Sequence, residues 1–435
     1  MNKRISRWAL CIGLLPALAA CDNVAEYDDL GDGGTGTDTD TDTDTDTDAD
    51  TDADLVFDGL DLLVMIDDSI SMQQEQAMLA TSMYSLVSAL TNPLPGMAYE
   101  AVDELRIAVV TSNMGLSSDG NNNDDEWPGT FPAPCEGFGD NGAFQTSMPA
   151  GVTIQDNVIP CDESAAQCPE TWTCAGIDEA TGVGRCTTDG EFEVECSELG
   201  SMWAETTYAA PNAELALQAS CLVEQGTSGC GFEQQLQSAA TALVRTDQAE
   251  FIHETHLLAI LVVSDEEDCS MEDGPGLFSE DEVQNQALKK VNLACGKHPE
   301  HLFEPSHFYD AFAAAKAPWA VVFAAIVGVP YAAQDPVGAM LCQGRGDQLD
   351  GCLDQDAMQL KEEQPDAPAD LTWFFHPACE RSVGEELMTK AYPGRRYVEL
   401  ANENFGENSF VYSICNEDWS PAVAMINAMI NSRLH

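Results

Sequence analysis

Asp67, Ser69 and Ser71 stand at alternate positions in "VMIDDSISMQQEQ" (64–76), and Asp265 stands in "VVSDEEDCS" (262–270). Two carboxylates with two hydroxyls make a hard-oxygen donor set, suited to Mg²⁺, Mn²⁺ or Ca²⁺ and ill suited to copper or zinc. Each aspartate closes an apolar run. In a sheet of parallel strands, ligands gather beyond the carboxyl ends, so two strand-end acids can converge on one crevice. The plainer alternative is an ordinary helix start, with Asp67 as cap and two loop serines.

The elements that must position these residues follow from periodicity. "LVFDGLDLLVMID" (55–67) is apolar enough for a buried strand, and Leu79, Met83, Leu86 and Leu90 recur at helical spacing just after it. "ELRIAVVTSN" (104–113), "HLLAILVVSDEEDCS" (256–270) and "PWAVVFAAIVGVP" (318–330) read as further strands, and "RRYVELA" (395–401) as an edge strand. Helices are expected in "FEQQLQSAATALV" (232–244), "PSHFYDAFAAAK" (305–316) and "SPAVAMINAMI" (420–430), the last with Ser420 as N-cap and Pro421 at N1. In "FSEDEVQNQALKKVNLACG", Ser279 and Glu282 predict a capping box, Val283, Ala287, Val291 and Ala294 a buried stripe, and Gly296 the C′ position. Strands alternating with helices predict an α/β fold, a mostly parallel sheet with helices on both faces. Residues 114–228, with seven cysteines and little periodicity, read as a disulfide-stapled, loop-rich insertion, and 331–394 as an irregular one.

Charge and cysteines bound the function. The 435-residue chain carries a formal charge of −58, which repels nucleic acid and anionic lipid alike. Residues 1–20 read as an export signal: Lys3, Arg4 and Arg7, then the short apolar run "WALCIGLLPALAA". "LAAC" resembles the bacterial lipobox, which implies cleavage before Cys21, acylation of its thiol and anchoring in a bacterial cell envelope, at the outer membrane or cell surface. Residues 21–56, rich in Thr-Asp repeats, form an acidic tether too polar to fold. Of 16 cysteines, Cys11 leaves with the signal and Cys21 takes lipid. The fourteen others (Cys135, Cys161, Cys168, Cys174, Cys186, Cys196, Cys221, Cys230, Cys269, Cys295, Cys342, Cys352, Cys379 and Cys415) predict up to seven disulfides, with connectivity left open.

"IDDSISM" matches the D-x-S-x-S pattern of the von Willebrand factor A (vWA) domain, and "VVSDEED" stands where that family has its second acidic loop. The chain from 57 to 435, insertions aside, therefore resembles a vWA-like, doubly wound, Rossmann-like domain. The resemblance implies a metal-ion-dependent adhesion site (MIDAS) built from Asp67, Ser69, Ser71 and Asp265. In the family a middle-loop threonine completes the site. The matching loop is "EQGTSGCGFEQ", with Thr227 the candidate and Cys230 close by. The resemblance further implies a divalent cation (Mg²⁺ or Ca²⁺, with Mn²⁺ as a third candidate) and a protein or extracellular-matrix ligand that supplies a carboxylate. The chain departs from the pattern at Asp68 and Ile70, where small residues are common, and at Glu266, where the family has glycine. The extra acids Glu266, Glu267 and Asp268 are expected to favour Ca²⁺ over Mg²⁺.

Other constellations carry less. "HETH" (253–256) is one residue short of a zinc-protease motif and is expected to be a surface turn. His298, His301 and His307 lack cysteine partners and are expected to be surface histidines. "DGNNNDDE" (119–126) lacks the glycine and final glutamate of a calcium loop. Arg345-Gly346-Asp347 lies between Cys342 and Cys352, in a loop a disulfide could display, and "CPETWTC" (168–174) resembles a small disulfide loop with a tryptophan lid. No nucleophile elbow or phosphate-cradling loop is found, so an enzyme is not expected. The alternatives are a secreted hydrolase using Asp67, Asp265 and Glu266 around a metal, and an envelope domain whose metal only stabilises the fold.

Overall fold

A computed structural model describes residues 57–94, 96–97, 99–116, 135–188, 193–206, 212–280, 291–363, 374–383 and 386–434. The expected signal (1–20), Cys21, the tether (21–56) and "DGNNNDDE" lie outside these residues. So do Glu282, Val283 and Ala287.

Six strands form the central sheet: β1 (Gly59–Ile66), β2 (Glu104–Thr111), β3 (Ala204–Glu205), β4 (His256–Val263), β5 (Val321–Val327) and β6 (Ser409–Ser413). Their order is β6-β5-β4-β1-β2-β3. Every neighbouring pair is parallel except β2 and β3. The order reverses between β4 and β1, so their carboxyl ends flank a crevice. β1 and β4 are buried at every residue, which is what their unbroken apolar runs require.

Alternation along β1 divides the core. Leu60, Leu62, Val64 and Ile66 pack with residues of α1 (Gln73–Thr91), α2 (Asn212–Leu222) and a C-terminal helix, Ser420–Leu434. Leu63 and Met65 pack in a second core with Leu236 of α3 (Gln235–Val244) and Phe308 and Phe312 of the helix Pro305–Ala315. Leu79, Met83, Leu86 and Leu90 are all buried, as the spacing predicts.

All fourteen cysteines are paired: 135–230, 161–174, 168–186, 196–221, 269–295, 342–352 and 379–415. Seven disulfides belong to an oxidising, extracytoplasmic environment. Among the described residues no helix is long and apolar enough to cross a membrane.

Several expectations need correction. Residues 114–228 are not only loops, because they supply β3 and α2. Ser220 Oγ of α2 donates to the Ala80 carbonyl of α1 at 2.7 Å. "CPETWTC" is no closed loop: Cys168 bonds Cys186 and Cys174 bonds Cys161, because 173–175 and 184–187 pair as antiparallel strands. Trp172 is buried in the first core rather than set over a loop as a lid. "RRYVELA" is helical (Arg395–Glu399, continuing into Leu400–Phe405), and β6 takes the edge position. The Glu267 carboxylate accepts from the Arg395 and Arg396 amides at 2.9 and 3.1 Å, satisfying donors that a strand would leave to a neighbour. Ser279 is the last residue of a short helix, Gly274–Ser279, capped by Asp273. Gly296 lies inside the helix Val291–Lys297, where a Cβ would meet the Phe375 ring at 2.6 Å.

A third, small core lies behind the carboxyl ends of the strands. It gathers Leu116, Cys135, Cys230, Phe232, Cys269, Leu277, Phe278, Ala294, Cys295 and Leu302. The loops that follow β2, precede α3 and follow β4 thus share one anchor. The disulfide Cys135–Cys230 closes a separation of 95 residues. Losing a loop that long costs about 4 kcal/mol in the chain-entropy account. Cys135→Ser/Cys230→Ser is expected to lower unfolding free energy by that order in urea titration, with the denaturation midpoint moved clearly to lower urea.

Candidate metal centre

Sheet register builds the site. Ile66 pairs with Thr111 on one side and Val263 on the other. Main-chain bonds carry the ladder one residue further: Ser112 N donates to Ile66 O at 3.1 Å and Asp67 N to Val263 O at 3.0 Å. Asp67, Ser112 and Ser264 therefore form a row across three strand ends. Ser264 Oγ donates to Asp67 Oδ2 at 2.7 Å, and Ser112 Oγ stands 3.5 Å from Asp67 Oδ1 and 3.3 Å from Asp68 Oδ1. Gln235 Nε2 donates to Ser264 Oγ at 2.9 Å, fixing that hydroxyl from α3.

The turn from β1 into α1 is an Asx-type turn, with Ser69 N donating to Asp67 Oδ1 at 2.8 Å. It aims both serines at the second loop. Ser69 Oγ and Ser71 Oγ are 3.1 Å apart, and Ser71 Oγ donates to Asp265 Oδ1 at 3.2 Å. Four of the five residues singled out in the sequence are thus brought together. Asp67, Ser69 and Asp265 are buried, while Ser71 faces solvent. Ile70, between the serines, is 86% exposed at the rim.

Thr227 is brought only near. Gln76 Nε2 donates to the carbonyls of Asp67 and Gly226 at 3.0 and 2.8 Å, and its Oε1 accepts from Gly226 N at 3.0 Å. Gly229 N donates to Asp68 O at 2.9 Å, and a Cβ there would fall 2.1 Å from the Asp68 carboxylate. Both flanks of Thr227 are therefore clamped to the site, but its hydroxyl makes no hydrogen bond to the other four residues.

The sequence reading missed Glu233, which is 1% exposed at the entrance to α3. Burial holds its carboxyl well above the usual range, and the charges of Glu266, Asp67 and Asp265 add to this. Burial and the charges of Asp67 and Glu266 raise Asp265 in the same way, and burial raises Asp67. The two remaining acids of the second loop turn elsewhere. Glu267 caps the Arg395–Glu399 helix, and Asp268 Oδ2 accepts from Arg396 Nε at 3.0 Å. The extra carboxyls beside the site are therefore those of Glu233, Glu266 and Asp68. The only sequence signal for Glu233 was its place beside the Thr227 loop.

The donor set fits a hard cation. Cis ligands on an octahedral Mg²⁺ at about 2.1 Å stand about 3 Å apart. Ser69 Oγ, Ser71 Oγ and Asp265 Oδ1 lie at 3.1 and 3.2 Å in sequence. Among the described residues, the side-chain partners of Asp67, Ser69, Ser71 and Asp265 are serine hydroxyls, the Asp265 carboxylate and glutamine amides, with no histidine among them.

The other histidines do not gather as one set of three. His301 Nε2 lies 3.0 Å from Glu280 Oε1, and His298 Nε2 lies 3.5 Å from Glu280 Oε2. His307 stacks instead on Phe303 at 4.3 Å. The Cys342–Cys352 loop exists, but Arg345 Nε is engaged by the Glu407 carbonyl at 3.2 Å and Gly346 is buried. "HETH" is a surface turn only in part, since His256 is fully buried as the first residue of β4.

Crowded buried acids make stability pH-dependent. Burial and the charges of Asp67 and Asp140 push Asp68 up to about 7, and burial pushes Glu267 up to about 7. A carboxyl raised on folding contributes stability that is fully present below its unfolded value and is lost as pH rises through the folded one. Without metal, the melting temperature is expected to fall between pH 6 and pH 8 in calorimetric scans. Saturating Ca²⁺ or Mg²⁺ is expected to recover most of that loss at pH 8. A flat or rising profile in chelator would contradict the arrangement.

No family model matches the chain, and no curated protein matches it. Among solved structures, the human COPII-coat protein Sec24c is similar over 63% of this chain at 12% identity and a TM-score of 0.22. The chain spans 27% of the length of that protein, and a likeness of this grade carries no argument about fold or function.

Proposed function

We propose that the chain is an exported, metal-dependent binding module of the vWA type, with a doubly wound sheet and a MIDAS-like centre. The observation that carries this reading is the oxygen cluster of Ser69, Ser71 and Asp265 over Asp67, at the reversal of strand order and among buried carboxylates without a histidine. Ser69, Ser71 and Asp265 would hold the cation, with Asp67 behind them and the clamped Thr227 loop free to supply a further hydroxyl. Hydroxyl ligands do not neutralise the metal, so it keeps positive charge and an exchangeable position. A carboxylate from a protein or matrix ligand fills that position, and exposed Ile70 offers apolar contact at the rim.

Several features support the remaining parts of the reading. The seven disulfides agree with export, and "LAAC" with lipid attachment at Cys21 and a place in the bacterial envelope. Glu233 and Glu266 place extra carboxyl oxygens beside the centre, which suits the six to eight oxygen ligands of Ca²⁺ over the six of Mg²⁺. Among the described residues, no histidine hydrogen-bonds Asp67, Ser69, Ser71 or Asp265, as the hydrolase alternative would use to activate water.

The test is calorimetric titration of Mg²⁺, Mn²⁺ and Ca²⁺ into the oxidised protein, beside Ser71→Ala, Asp67→Ala and Asp265→Ala. One site is expected, weakened about tenfold or more in each variant, with Ca²⁺ bound more tightly than Mg²⁺. Because Ser71 is exposed, its variant separates a lost ligand from a lost fold. Binding unchanged by all three substitutions would reduce the motif to a helix start.

A further inference from the structure

The opposite end of the same two strands carries a different donor set. Gly59 of β1 pairs with His256 of β4 on one side and with Glu104 of β2 on the other. With no side chain at Gly59, the His256 ring lies across β1. A Cβ there would stand 2.4 Å from His256 Nε2. The ring reaches Glu104, with Nε2 3.3 Å from Glu104 Oε2 and 3.8 Å from Asp58 Oδ1.

Asp61, fully buried on β1, sets the orientation. Its Oδ1 is 2.8 Å from His256 Nδ1, and its Oδ2 accepts from His253 N at 2.7 Å. One carboxylate thus fixes the buried histidine and the backbone of the nearby one. The two imidazoles lie 4.4 Å apart between centroids. Thr255 Oγ1 donates to Asp58 Oδ1 at 2.5 Å and stands 3.1 Å from His253 Nδ1. Lys316 Nζ donates to the His253 and Glu254 carbonyls and pins the loop from outside. One ligand atom from each of Asp58, His253 and His256 falls within 4.8 Å of the others. The other such group among the described residues, Cys161, Cys168 and Cys186, has its sulfurs in disulfides.

With Nδ1 directed at Asp61, His256 Nε2 faces the two exposed carboxylates of Glu104 and Asp58. Together with His253, these groups surround a point that a cation can occupy. A contact between His256 and Glu104 alone does not account for the His253 ring gathered beside it. A divalent cation answers for all of them, and it also balances the net charge of Asp58, Asp61 and Glu104 against Lys316. Two imidazoles with carboxylates suit a borderline cation rather than the hard ion of the opposite end, and a carboxylate behind a ligating histidine is the usual supporting arrangement.

We propose that Asp58, His253 and His256, with Glu104 as fourth ligand, form a Zn²⁺-class site. It clips the segment entering β1 to the loop entering β4. Asp61 is the positioning residue. Asp58 and Glu104 are exposed, so the cation reaches the site from solvent.

The test uses the full oxidised chain, stripped with chelator and saturated with Mg²⁺, and Zn²⁺ as the probe. Wild type is expected to bind one Zn²⁺ and to melt at a higher temperature with it. His253→Ala and Asp58→Asn change half-buried and exposed side chains. They are expected to keep the zinc-free melting temperature while binding Zn²⁺ about tenfold more weakly or worse. Equal Zn²⁺ affinity in wild type and both variants, or no Zn²⁺ binding by wild type, would overturn the proposal. The Mg²⁺ present throughout keeps failure here distinct from failure of the hard-cation centre.

Discussion

The pairing of β1 with β2 and β4 is the constraint on which the rest of the structure depends. It is parallel on both sides and in step over eight residues on each. Side chains alternate faces along a strand, so a slip of one residue would exchange the two cores and turn Asp67 away from Ser112 and Ser264. The same register sets the rows at both ends of the sheet, Asp67 with Ser112 and Ser264 at one and Gly59 with His256 and Glu104 at the other. Core packing and site chemistry are therefore fixed by one interaction, which is why apolar runs predict where the polar residues converge.

That logic explains what could be read in advance. Asp67, Ser69, Ser71 and Asp265 were legible because each follows directly from the end of a long buried strand, where periodicity is least ambiguous. Glu233 was not, because it sits in a loop whose path is set by the Cys135–Cys230 bond and by Phe232 in the third core. "RRYVELA" misled because its β-branched and aromatic content suggests a strand, while the Glu267 carboxylate offers its amides a helical start. "HETH" was read by motif length, and the motif could not register that Gly59 leaves room for a ring across the strand. Cysteine number and export predicted the disulfides, but the partners of Cys161, Cys168, Cys174 and Cys186 depend on strand pairing within 160–187 that shows no periodic signal.

The crowded acids and the third core belong together. Asp67, Asp265, Glu233 and Glu266 repel one another, and burial raises the cost of their charges. Left on independent loops they would separate. Instead, two disulfides and a knot of apolar side chains join the three loops behind them. Gln76 reaches out of α1 to hold the Gly226 backbone with both ends of its amide. The repulsion is thereby held in place rather than relieved by movement.

β1 also has a mechanical consequence. The chain enters it at Asp58, and the acidic centre lies at its far end, about 25 Å along the strand. Were the proposed ligand held beyond Asp67, a pull on the N-terminal side would load the strand along its own axis. Hydrogen bonds on both flanks then bear the force together, in shear, rather than opening one at a time like a zipper. A central strand pulled lengthwise resists where an edge strand peeled sideways gives way, so the order β4-β1-β2 places β1 where load along its axis is best borne.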